Sequence, residues 1–144
     1  LYTIASDGTD LRHLTSKPVT DEYPDWRPGC TLKRASPQNC GAPTANDVSG
    51  GAGDDLIFTG PGNDHVSGGD GNDVIVGGAG TDALQGQGGD DRIAAGPGPG
   101  RDHVGGGAGS DYLDAKDGKK GDQLTGGPDK DVCRADRGDK TSAC

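Results

Sequence analysis

Aspartate recurs at a fixed interval through the middle of the chain: Asp55, Asp64, Asp73, Asp82 and Asp91 stand nine residues apart. Two positions before each stands a glycine and two positions after it an aliphatic residue, as in "GGDGNDVIV" at residues 68–76. Carboxylates are hard oxygen donors, and a regular row of them is chemistry suited to a divalent cation such as calcium, which takes about six to eight oxygens. Glycine is the costliest residue to order, so repeating it in register requires a compensating interaction. A bound cation supplies one.

The elements that position these carboxylates follow from the period. The template Gly-Gly-x-Gly-x-Asp-x-U-x, with U aliphatic, fits its fixed glycine and Asp positions at residues 50–58, 68–76, 77–85 and 106–114. Degenerate units lie in phase between and around them, and two, residues 95–105 and 115–125, are longer by two residues. The sixth position reads Asn46, Asp55, Asp64, Asp73, Asp82, Asp91, Asp102, Asp111, Asp122 and Asp131. The eighth reads Val48, Ile57, Val66, Ile75, Leu84, Ile93, Val104, Leu113, Leu124 and Cys133. Six glycine-rich residues make a turn and the remaining three, x-U-x, make a short strand with U on one face. Two units then form one coil of about 18 residues, and coils stack at the roughly 4.8 Å spacing of paired strands. Turns beginning at residues 50, 68, 86, 106 and 126 fall on a first edge of the stack. Those beginning at 41, 59, 77, 95 and 115 fall on a second edge, and both insertions belong to it, predicting one regular edge and one with deformed later turns.

Composition agrees with a thin core. Of 144 residues 28% are hydrophobic and 3% aromatic, Gly numbers 29 and the net charge is -9, a balance that reads as disorder unless periodicity or a ligand rescues it. The acidity argues against nucleic acid and anionic membranes as partners and for cations. No apolar run is long enough to span a bilayer. The chain has no Met, so it is read as a processed or partial form with its targeting signal and an upstream domain of the same precursor elsewhere.

Stacking sets carboxylates of one edge about 5 Å apart, where like charges repel by about 3 kcal/mol at an effective dielectric near 20. Cations between the turns relieve this, and the small core makes folding depend on them. Residues 41–134 closely resemble the glycine-rich nonapeptide repeats of the repeats-in-toxin group, the hemolysin-type calcium-binding repeats. That resemblance implies an all-β chain folded as a right-handed parallel β-roll, with calcium held between stacked turns by backbone carbonyls and the Asp. It assigns Gly51, Gly53 and Asp55 with Gly68, Asp70 and Asp73; Gly69, Gly71 and Asp73 with Gly86, Gly88 and Asp91; and Gly60, Gly62 and Asp64 with Gly77, Ala79 and Asp82. Gly78, Gly80 and Gly89 are further carbonyl donors at the same second and fourth positions, and a site joining Asp91 to Asp111 tolerates Gln87 because the contact is a carbonyl. The turns of Asn46, Asp102, Asp122 and Asp131 depart from the pattern and receive no site. The expected load is roughly three to five calcium ions.

The flanks read differently. "LYTIASDGTDLRHLT" is a hairpin around Asp7-Gly8, and with "DEYPDWRPG" it resembles a partial blade of TolB-type β-propellers over residues 1–29. Residues 30–40 are a cysteine-bounded linker loop, 41–134 the roll, and 135–144 a tail capping the open end of the stack. The tail holds Arg137-Gly138-Asp139, an integrin-type tripeptide read here as a solvated charged segment. Cys30, Cys40, Cys133 and Cys144 lack zinc-site spacing; loop entropy favours local disulfides Cys30 with Cys40 and Cys133 with Cys144, with four free thiols as the alternative.

No H-E-x-x-H, G-x-S-x-G or phosphate-loop pattern is present, so no enzyme is expected in this chain. His65 and His103 fall outward on one sheet with Ala83 between them, about 10 Å apart and too far to share a metal; His13 lies in the hairpin. The favoured reading is a secreted, extracellular calcium-binding module that folds on meeting calcium, with a structural or secretion-associated role. An accessory tail of an upstream protease or lipase, and an adhesion module with a cell-surface or glycan partner, stand beside it.

Overall fold

The structure, a computed structural model, describes residues 45–144 and, before them, only the backbone of four short strands. These four are β1 (Tyr2–Ile4), β2 (Leu11–His13), β3 (Thr31–Leu32) and β4 (Pro37–Gln38). There follow β5 (Asp47–Ala52), β6 (Leu56–Pro61), β7 (His65–Asp70), β8 (Val74–Ala79), β9 (Ala83–Gly88), β10 (Arg92–Ala94) and β11 (His103–Ala108). The last are β12 (Tyr112–Asp114), β13 (Gln123–Thr125), β14 (Val132–Arg134) and β15 (Lys140–Ser142). Among the described residues there is no helix, and none therefore long and apolar enough to cross a membrane.

Each x-U-x triplet is a strand because its aliphatic residue can be buried only by facing the opposite strand of the same coil. Odd strands β5 to β15 form one parallel sheet in chain order; β6, β8, β10, β12 and β14 form the other. Unit n pairs with unit n+2, so like residues stack: Val48 on Val66 on Leu84 on Val104 on Leu124, and Ile57 on Ile75 on Ile93 on Leu113 on Cys133. The two columns are the core, with Ile57, Val66, Ile75, Leu84, Ile93 and Leu113 wholly buried. Each such side chain contributes about 1.5 to 3 kcal/mol. The result is an all-β parallel β-roll.

Strand length departs from expectation. In β5, β6, β7, β8, β9 and β11 the pairing runs on into the glycines, giving six residues where three were expected. Gly51 pairs with Gly69 and Ala52 with Asp70; Gly60 pairs with Gly78 and Pro61 with Ala79. Glycine permits this because adjacent coils approach so closely there that a Cβ on Gly69 or Gly78 would strike the backbone of Gly51 or Gly60. Strands β10, β12, β13 and β14 stop at three residues. For β10 and β12 the cause is the inserted pair, which bulges the following turn away from the ladder.

At each end of the stack one of the two sheets gains an added strand. At the start, the segment expected as a linker supplies β3, which pairs antiparallel with β6, Thr31 opposite Ile57, and with β4. An open parallel edge thereby gains an antiparallel partner. At the far end β15 pairs with β13, Thr141 opposite Leu124, and the Cys133–Cys144 disulfide, with Cα atoms 5.7 Å apart, ties the tail across. The tail therefore adds a strand to the roll. Strands β1 and β2 pair antiparallel, Tyr2 opposite His13 and Ile4 opposite Leu11, a register whose midpoint falls between positions 7 and 8. The rest of the propeller-like segment, with Trp26, and the Cys30 to Cys40 pairing lie outside the described residues.

Candidate metal centre

The sixth-position side chains are turned inward. Asp55, Asp64, Asp73, Asp82, Asp91, Asp102, Asp111 and Asp122 are each no more than 4% exposed, a burial that carboxylates tolerate only when paired. Asp64, Asp73, Asp82, Asp91, Asp102, Asp111 and Asp122 each have one oxygen accounted for by the main chain. Oδ1 of Asp73 accepts the N–H of Asp55, Oδ1 of Asp91 that of Asp73, and Oδ1 of Asp111 that of Asp91, at 2.8 to 2.9 Å. On the second edge Asp82, Asp102 and Asp122 accept in the same way from Asp64, Asp82 and Asp102. Each carboxylate thus clamps the coil before it, and the two edges carry two continuous ladders.

The other oxygen is different. Oδ2 of Asp64, Asp82, Asp91, Asp111, Asp122 and Asp131 is buried with no hydrogen-bond partner. Position one of the repeat makes room for it: a Cβ on Gly50, Gly68, Gly77, Gly86, Gly106 or Gly126 would run into Oδ2 of the Asp five residues on. Burial raises the carboxyls of Asp82 and Asp91 to about 6, against the stabilising N–H of Asp64 and Asp73, and neighbouring rungs push in the same direction as burial. Asp102, Asp111 and Asp122 are raised for the same reasons. Such a site lacks positive charge.

The backbone offers further oxygens beside the carboxylates. In six turns both the second and the fourth residue hold positive φ, for example Gly51 at 98° and Gly53 at 97°, Gly69 at 123° and Gly71 at 127°. Neighbouring turns of this kind define four intervals. Gly51, Gly53 and Asp55 lie against Gly68, Asp70 and Asp73; Gly69, Gly71 and Asp73 lie against Gly86, Gly88 and Asp91. Gln87, Gly89 and Asp91 lie against Gly106, Ala108 and Asp111; on the second edge Gly60, Gly62 and Asp64 lie against Gly77, Ala79 and Asp82. The carbonyls of Asp70, Ala79 and Gly88 already accept an N–H from Gly53, Gly62 and Gly71, which leaves each a second lone pair. Gly78 and Gly80 face the inserted turn that starts at Ala95, where only Gly96 keeps the positive φ of position two.

Among the described residues no three His, Cys, Asp or Glu side chains converge as a cage. The donors are carbonyls with one carboxylate per turn, all oxygen, which suits a hard cation and not zinc or copper. The residues present therefore fit calcium, on the orphaned Oδ2 atoms and the glycine cradles that hold them.

The rungs run on beyond the turns that the sequence assigns a site. Asp102, Asp122 and Asp131 hold the sixth position in turns that depart from the template, yet Asp131 accepts the N–H of Asp111 at 2.8 Å and the other two keep their rungs. Asn46 starts the second ladder, giving both its N–H and its side-chain amide to Asp64 Oδ1. Asp139 ends it, accepting from Gly121 and Asp122 through Oδ1 and from Asp136 through Oδ2. The carboxylate of the Arg137-Gly138-Asp139 tripeptide is thus engaged as a terminal rung. Thr59, standing where glycine is usual, is buried and donates its hydroxyl to the Gly77 carbonyl at 2.6 Å. Its in-phase position was the signal available.

The family model described as RTX calcium-binding nonapeptide repeat (4 copies) matches at residues 41–75, 67–100, 76–113, 98–119 and 106–139. No curated protein and no solved structure gives a significant match.

Proposed function

The chain belongs to the RTX calcium-binding nonapeptide repeat family, and from that premise we propose that it is a secreted module whose roll orders when calcium is present. Repeats of this family are typical of secreted proteins, and the role proposed for the chain is a structural one outside the cell. The observation that carries it is the set of buried Oδ2 atoms that no donor reaches. Calcium, when bound, supplies the charge and the vacant coordination positions that these oxygens and the neighbouring carbonyls require.

This chain's residues do the rest. Asp73 and Asp91 each serve two intervals, so their rungs couple neighbouring turns. The glycines at positions two and four hold the backbone in conformations that bring carbonyls to the interval, and the position-one glycines keep the space beside each Oδ2 clear. Residues 45–91 hold nine Asp and no Lys or Arg, so this half has no internal cation to offset its ladder. Four intervals with paired positive φ set the proposed load at four ions, within the number expected from the repeat count.

A calcium titration followed by far-UV circular dichroism, with magnesium in parallel and chelator to reverse it, tests the reading. A coil-to-β transition specific to calcium is expected. A spectrum already rich in β-structure in chelator and unchanged by calcium would overturn it.

A further inference from the structure

The cations of the roll are segregated. Of the nine Lys and Arg among residues 45–144, six stand on the second edge, in its two inserted turns and the tail: Arg101, Lys116, Lys119, Lys120, Arg137 and Lys140. All six are exposed, and none is ion-paired to a described residue. The first edge carries one, Lys130, beside exposed Asp54, Asp70, Asp90 and Asp129. Long side chains in an acid-rich molecule ordinarily find carboxylates, and Asp114, Asp117, Asp136 and Asp139 stand close by in sequence. Each is turned to the backbone instead: Asp114 accepts the N–H of Lys116, Asp117 that of Lys119, Asp136 that of Gly118, and Asp139 those of Gly121, Asp122 and Asp136, while Asp114 also pairs with Arg134. The ladder acids of this edge, Asp102 and Asp122, are buried.

The stack orders these cations. The stem of Arg101 lies over Gly121, one coil on, and the stem of Lys120 lies over Gly138, one coil further. Positive groups therefore recur at successive coil levels, about 4.8 Å apart, along one straight edge. Such a row matches a linear polymer with an anionic group on each successive unit and gives little purchase to a single small anion. No aromatic side chain stands in the inserted turns or the tail, so the edge lacks the stacking platforms with which proteins hold bases.

We propose that the distal second edge, Arg101 through Lys140, is a docking strip for an anionic polysaccharide carrying sulfate or carboxylate groups. Arg101, Lys119, Lys120 and Arg137 are its contact residues, and the proposal is independent of which intervals hold calcium. Binding is electrostatic, through release of counterions, and falls steeply as salt rises.

The test is binding of the full, calcium-saturated chain to chondroitin sulfate, with neutral dextran and a DNA duplex in parallel, at two salt concentrations. Wild type is expected to bind the sulfated polymer and not dextran. The R101Q/K119Q/K120Q/R137Q variant is expected to bind at least about tenfold more weakly with a shallower salt dependence, while Lys130→Gln, on the first edge, binds as wild type. Should the fourfold variant lose the wild-type circular dichroism spectrum, the exposed pair K119Q/R137Q is read instead, with a loss of at least about threefold expected. Absence of binding to the sulfated polymer, undiminished binding by these variants, or an equal loss in Lys130→Gln overturns the proposal. DNA binding as tight as that of the sulfated polymer overturns the choice of partner.

Discussion

The main-chain N–H of Asp82 donates to Oδ1 of Asp102 at 2.8 Å, the bond that also joins Asp64 to Asp82, although twenty residues separate the first pair and eighteen the second. The extra two residues are absorbed inside the turn at residues 95–101, where Pro97 and Pro99 stand. The rung is kept and the turn gives way. Every coil from Asn46 to Asp139 is joined to the next by this bond, so the ladder, more than the glycine motif, is the continuous feature of the roll.

Asp91→Asn separates the two tasks of a rung. The amide retains an acceptor for the N–H of Asp73 but removes charge from two intervals at once. The calcium midpoint is expected to rise by at least about tenfold, the equivalent of about 1.4 kcal/mol. The calcium-free fold is expected to gain stability, because a buried, uncompensated charge has gone. Calcium titration and a thermal melt in chelator measure the two effects, and an unchanged calcium midpoint would remove Asp91 from the sites.

Acid should act in opposite directions with and without the metal. The carboxyls of Asp82 and Asp91 stand at about 6 in the calcium-free fold, against an ordinary aspartate value of 3.8. A raised folded-state value means that the fold binds more protons than the unfolded chain between those limits. Their contribution is therefore fully present below 3.8 and lost as pH rises through about 6. Melts in chelator should shift upward as pH falls from 7 to about 5. In saturating calcium the trend should reverse, because protons compete for the oxygens that would hold the ion.

How much of this the sequence disclosed depends on whether neighbours in space were also periodic in sequence. Ile57, Ile75 and Ile93 announce a column because eighteen residues bring each above the last, and the same count assigns Asp55, Asp73 and Asp91 to one edge. The insertions left Asp102 and Asp122 in phase but without an assigned site, since a template counts residues whereas a rung needs only that the turn can bulge. The six-residue strands were hidden because glycine is a poor strand former by propensity, and here close approach of coils decides the matter. Asp139 gave no sign at all. Its place in the ladder is set by the tail doubling back as β15, a tertiary event with no local pattern.

Gln87 and Gly69 test the close approach from both sides. Gln87 holds φ of 86° at a second position that is glycine in the five other turns with paired positive φ, a conformation that costs an L-residue roughly 1 to 2 kcal/mol. Gln87→Gly should therefore stabilise the calcium-loaded fold, by up to about 1 kcal/mol once glycine's added chain entropy is subtracted. Gly69→Ala should do the reverse. Its Cβ has no room beside the Gly51 carbonyl and its φ of 123° suits glycine alone, so a loss of at least about 3 kcal/mol is expected. Denaturant melts in calcium rank the two, and a neutral Gly69→Ala would show that the coils can part.

Cys133–Cys144 closes the far end by a covalent route, across a sequence separation of 11. Cys133 occupies the last core position above Leu113, and the strand that precedes Cys144 is held otherwise by its pairing with β13, by the N–H groups of Lys140 and Gly126 donating to the carbonyls of Asp122 and Ser142, and by the Ser142 hydroxyl against Thr125 and Leu124. Closing a loop of this size in the unfolded chain accounts for about 2 to 3 kcal/mol. Reduction should lower the melting temperature in calcium and release β15 first, since the buried column beneath it, ending at Leu124, remains packed. Hydrogen exchange locates the effect: amides of residues 140–142 should lose protection on reduction while Val66 and Leu84 keep theirs. Uniform loss along the roll would instead make the disulfide a condition for the whole stack. Unchanged exchange at residues 140–142 would show that strand pairing alone holds the tail.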